Sequence, residues 1–76
     1  MHEKTDLERV QEVFRDILQD EALVLTERTS PRELIAWDSI ANMNILIAVE
    51  SEFGKEFTVA ELQSIRSVRD ILELVA

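Results

Sequence analysis

The chain has 76 residues, 46% of them apolar, with 8 basic and 16 acidic side chains and a formal net charge of −8. That length holds one small domain, residues 1–76, and the apolar share excludes a chain disordered throughout. There is no cysteine, and the one histidine, His2, sits at a terminus expected to fray, so disulfide scaffolds, cysteine–zinc modules and histidine-rich metal sites are excluded.

The chain contains one glycine and one proline, Gly54 and Pro31, which favours helices over turn-rich β-structure. Leu7, Val10, Phe14, Ile17 and Leu18 recur at spacings of three and four and predict an amphipathic helix over residues 5–20, capped by Thr5 or Asp6. Residues before Asp6 are expected to be frayed. Residues 21–37 read as a long loop whose leucines tuck back into the core, with a turn of helix after Pro31; a short strand at 23–25 is the alternative for its first part. The second helix opens at Asp38 or Ser39. Ile40, Met43, Leu46, Ile47, Val49 and Phe53 give it a broad apolar face, widened by Ile45 and Ala48, and Gly54 reads as its stop. Thr58 and Glu61 form a capping-box pattern for a short third helix through Leu62. Ser67 and Asp70 form a weaker one for a fourth, with Val68, Ile71, Leu72 and Val75 inward. The expected fold is all-α: a small four-helix bundle of three longer helices and one short third helix, with the long loop between helices one and two.

Charge narrows the partners. The basic residues are scattered, whereas nucleic-acid binding draws on clustered Lys and Arg, so neither nucleic acid nor an anionic membrane is expected to bind. Residues 45–49, the longest apolar run, cannot span a bilayer, and the N-terminus lacks the apolar core of a signal peptide. The expected compartment is the cytoplasm, the expected state a monomer, and the expected partners proteins with basic surfaces.

Chemical motifs are sparse. One glycine cannot make a phosphate-cradling loop, no alternating Asp/Asn calcium loop is present, and no histidine stands by a serine to activate it. Acidic pairs such as Glu50 and Glu52 read as a solvated helix face, so no catalytic residue and no metal ligand is expected and the chain reads as a non-enzyme. One position differs. Asp38 and Ser39 close the long loop and open the second helix. Both are favoured N-cap residues, and capping alone accounts for the pair. The same place also suits a phosphate ester on Ser39, which would lie against the free amides and positive end of the helix.

Asp38, Ser39 and Ile40, followed by Met43, Ile45, Leu46, Ala48, Val49, Glu50, Glu52, Phe53 and Gly54, resemble the acyl carrier protein family. The likeness continues without gaps through Phe57, Ile65 and Val68. It implies that a phosphopantetheinyl transferase, using coenzyme A and Mg²⁺, attaches 4′-phosphopantetheine to Ser39, beside Asp38. The arm's thiol would then hold acyl or related cargo as a thioester for loading and processing enzymes. It further implies docking through Ile40, Met43, Glu50, Glu52 and Glu56 to basic enzyme surfaces. Ile40, Met43, Leu46, Ile65 and Val68 are the candidates to shelter an acyl chain, and plain core packing is the competing reading of all five. The sequence departs from the fatty acid synthesis pattern at Ala41 and Asn44, where acids are common. Trp37 before the motif resembles carriers of specialised pathways, polyketide clusters among them. Two other readings stay open: an acidic helical module that only binds proteins, and a carrier of aminoacyl or peptidyl groups.

Overall fold

Helix α1 (Asp6–Leu18) starts where Thr5 accepts the Glu8 amide and the Glu8 carboxylate accepts the Thr5 amide, a complete capping box. The computed structural model of the chain describes residues 3–76, so the expectation for His2 lies outside the described residues. The expected fraying is corrected for Thr5, which is tied into the cap, and for Lys4, which pairs with Glu12. The hydrogen bond to Glu12, then its charge, raises the Lys4 ammonium above the ordinary lysine pKa. α1 ends two residues earlier than the pattern predicts because Gln19 turns left-handed, with φ 53°.

The strand at 23–25 does not form. Its backbone groups bond to side chains of α1 instead: the Leu25 amide donates to Gln11 Oε1 (2.8 Å), and Arg15 Nε donates to the Leu23 carbonyl (2.6 Å). Leu25 is buried, Leu23 and Leu34 are half-buried, and Ile35 stays in solvent. A helical turn follows Pro31 as expected, with the Glu33 and Leu34 amides on the Ser30 carbonyl.

α2 (Ser39–Phe53) and α4 (Val68–Val75) both pack on α1, and the short α3 (Val59–Gln63) connects them. The buried core joins Val10 and Phe14 of α1 to Ile45, Leu46 and Val49 of α2 and to Val68, Ile71 and Val75 of α4, with Leu25 and Trp37 from the loop. Gly54 stops α2 at φ 63°, and Thr58 with Glu61 caps α3 reciprocally, both as the residue pattern predicts. Two expectations need correction. On α2 the buried side chains are Ile45, Leu46 and Val49, whereas Ile40, Met43 and Ile47 are exposed. A helix apolar all round gives no stripe from which to read its inner face. At α4 the Ser67 capping box is absent. The Val68 and Arg69 amides donate to the Thr29 and Glu27 carbonyls, and Asp70 accepts the Arg66 amide instead. The long loop thus caps α4 with its own backbone.

Candidate attachment site

The start of α2 is set by Asp38. Its backbone is extended, its carboxylate accepts the Ala41 amide (2.8 Å), and its carbonyl accepts that of Asn42 (2.8 Å). Among the described residues the Ser39 and Ile40 amides of this first turn have no acceptor in the protein, which leaves two donors and the positive end of a fifteen-residue helix beside Ser39. Ser39 itself is exposed. No loop covers it, so an incoming enzyme reaches the hydroxyl without unfolding anything.

The approach to Ser39 is held by Trp37. This indole is 1% exposed, meets Phe14 edge to face with centroids 4.9 Å apart, and donates from Nε1 to Asn42 Oδ1 (2.8 Å). Trp37 therefore ties the last loop residues both to α1 and to the first turn of α2. Sequence reasoning notes Trp37 but misses its bond to Asn42; a buried indole needs an acceptor, and Asn five residues on is the only available hint. Beside the serine lies an open cleft of about 430 Å³, lined by Pro31, Ile35, Trp37, Asn42 and Ile65 together with the Asp38–Ser39 pair.

The other expected site residues fall into two groups. Ile40 and Met43 are 76% and 55% exposed, on the solvent side of α2. Leu46 and Val68 are fully buried in the core, and Ile65 is half-buried at the cleft. Of the acids, Glu56 is exposed. Glu50 is not simply solvated: it is half-buried and accepts the Phe57 amide (2.7 Å). Glu52 pairs with Arg9 (3.0 Å), whose guanidinium also donates to the Glu52 carbonyl and stacks on Phe53 at 4.1 Å. The described residues contain no cluster of candidate metal ligands and no helix long and apolar enough to cross a membrane.

The family of the phosphopantetheine attachment site matches residues 8–75, which defines the class: a domain that bears a phosphopantetheine group. Acyl carrier proteins of Thermosynechococcus vestitus and Saccharopolyspora erythraea are each 30% identical to the chain. The first match covers 99% of this chain and 93% of the relative, the second 97% and 78%. The solution NMR structure of holo acyl carrier protein from Geobacter metallireducens superposes with a TM-score of 0.83 at 35% identity, covering 91% of this chain and 79% of that one. The chain belongs to the acyl carrier protein family. It is a carrier that holds acyl intermediates on a covalently attached 4′-phosphopantetheine arm, and it works with a phosphopantetheinyl transferase and acyl-processing enzymes.

Proposed function

We propose that Ser39 bears the arm and that Asp38 fixes the helix start presenting it. The observation that carries this reading is an exposed serine hydroxyl beside two unpaired amides at the N-terminus of α2. The site fits the group: a phosphodiester is an anion, and the helix start offers donors and a favourable dipole. In the attachment step Ser39 Oγ attacks the pyrophosphate of coenzyme A at the phosphorus next to pantetheine. A new O–P bond forms, the P–O bond to the nucleotide breaks, the nucleoside bisphosphate leaves, and the serine proton passes to a base of the transferase. Once attached, the arm supplies a thiol that holds acyl cargo as a thioester. Asp38 is spent as a cap, so it keeps the first turn in place while Ser39 is modified.

Partner enzymes dock on the exposed side of α2, where Ile40 and Met43 stand in solvent next to the serine. Exposed apolar side chains of this size supply contact area, and the acids set approach. Glu56 is the least engaged of the three docking acids; Glu52 and Glu50 also hold Arg9 and the Phe57 amide. The protein acts as a single-domain cytoplasmic monomer without catalytic residues of its own.

Mass spectrometry after incubation with coenzyme A, Mg²⁺ and a broad-specificity transferase tests the assignment. The wild type should gain one phosphopantetheine, and Ser39→Ala should gain none. An adduct that survives in Ser39→Ala would move the site elsewhere.

A further inference from the structure

We infer that Asn42 is a positioning residue for the attachment reaction: by accepting the Trp37 indole N–H it pins the first turn of α2 to the core and holds Ser39 in one orientation toward the transferase. The inference rests on Ser39 bearing the arm.

Three observations carry it. The first is how lightly this turn packs. The buried part of α2 begins at Ile45. Before it, Ser39, Ile40, Met43 and Asn44 are exposed, and Ala41 is half-buried against the core. Segments with few buried apolar contacts open at low free-energy cost. The Asp38 cap does not make up the difference. Its carboxylate takes the Ala41 amide and its carbonyl the Asn42 amide, so both bonds close the turn on itself, within residues 38–42. The second observation is how firmly Trp37 is held. Its ring is fully buried and edge-on to Phe14 of α1, and its backbone amide donates to the Leu34 carbonyl (2.9 Å). The bond from Nε1 to Asn42 Oδ1 (2.8 Å) passes that fixity to α2. A tilt of the turn away from Trp37 would leave a buried N–H without its acceptor, which is costly. The third is where the bond falls. Asn42 is joined to Trp37 through its side chain and to Asp38 through its backbone, so the two residues before Ser39 are both fastened to the residue three after it. Ser39 sits inside that closed frame. A nucleophile gains rate from orientation, and a misplacement of about 1 Å can cost on the order of 100-fold. Asn42 acts through Trp37 and Asp38, while the serine alone supplies the attacking oxygen.

The test follows transfer from coenzyme A to the apo protein in single turnovers, reading the saturated rate and the half-saturating concentration separately. The wild-type adduct is first verified by mass and by its absence from Ser39→Ala. Asn42→Leu keeps the side-chain size and removes the acceptor. Its saturated rate should fall about 5- to 10-fold while its half-saturating concentration stays within about twofold of wild type. The Trp37 indole N–H should exchange with solvent faster in the same variant, as read by NMR. Asn42→Asp restores an oxygen acceptor and should return the rate to within about twofold of wild type at high salt, where the added charge is screened. Trp37→Phe removes the donor instead. It should lose rate to the same degree, and it supplies the measurement should Asn42→Leu fail to fold. An unchanged rate in Asn42→Leu with faster indole exchange would make the bond structural only. A loss carried by the half-saturating concentration would put Asn42 in the docking contact. Either result overturns the proposal, as does an Asn42→Asp rate as low as that of Asn42→Leu. Absence of an adduct on the wild type, or an adduct that persists in Ser39→Ala, would instead fault the Ser39 assignment.

Discussion

Two residues of the described chain have positive φ, and each ends a helix: Gln19 after α1 at 53° and Gly54 after α2 at 63°. The left-handed conformation costs an L-residue about 1–2 kcal/mol, and glycine escapes that cost. At Gly54 an added Cβ would meet nothing within 4 Å, so Gly54→Ala isolates the backbone penalty from any clash. It should destabilise by about 1 kcal/mol, which for a chain of this size lowers Tm by about 4–8 °C. Gln19→Gly should do the reverse, with a smaller net gain of about 0.5 kcal/mol because glycine is also freer in the unfolded chain. Thermal melts of the two variants and the wild type check both signs. The contrast also marks what was legible. Gly54 announces its turn, since it is the chain's one glycine and falls just after Phe53, the last apolar residue of the α2 pattern. Gln19 carries no such signal, and the predicted helix runs past it to Asp20.

The elements were readable where one side chain bonds to a nearby backbone, and unreadable where the partner is distant. Thr5 with Glu8 and Thr58 with Glu61 are local pairs, and both capping boxes form. Ser67 and Asp70 look alike in sequence, yet the loop carbonyls of Thr29 and Glu27 cap α4 first. Residues 23–25 are an extreme case: the Leu23 carbonyl and the Leu25 amide find their partners on α1, where Gln11 and Arg15, one turn apart, read as an ordinary solvent face. Gln11→Ala removes the acceptor of the part-buried Leu25 amide and should cost about 1–3 kcal/mol, the price of an unsatisfied donor. Hydrogen exchange at Leu25 should accelerate with it, while exchange at Val49 follows only the global stability. Equal acceleration at both would mean that the contact acts through the whole fold and does not hold the loop locally. The site shows the same division. Asp38 and Ser39 are visible as a helix start, but the cleft beside them depends on Pro31, Ile35 and Ile65, which only the tertiary fold brings together.

At the scale of the molecule, charge and docking surface do different work. The net charge of −8 spreads over the chain, yet α2 carries no charged residue from Ser39 to Val49. The side that presents the serine is therefore apolar, and Ala41 and Asn44 are part of the reason. If the transferase presents a basic surface, its long-range attraction would come from the whole field, which is screened over about 8 Å at physiological salt. On the proposed docking surface, contact on arrival would come from Ile40 and Met43, which are exposed in the free protein, and the gain from covering apolar area does not depend on salt. Transferase kcat/KM toward the apo protein should consequently fall as salt rises for every variant. Ile40→Ala or Met43→Ala should lower it by a further factor of about 10, corresponding to ~1.4 kcal/mol of lost contact, and that factor should be the same at low and high salt. Glu56→Gln should act oppositely, slowing modification at low salt and losing its effect at high salt. Steady-state rates of holo formation at two ionic strengths separate the two. If the Ile40→Ala penalty vanished with salt, its side chain would lie outside the contact and the docking surface would have to be sought among the acids around Glu56.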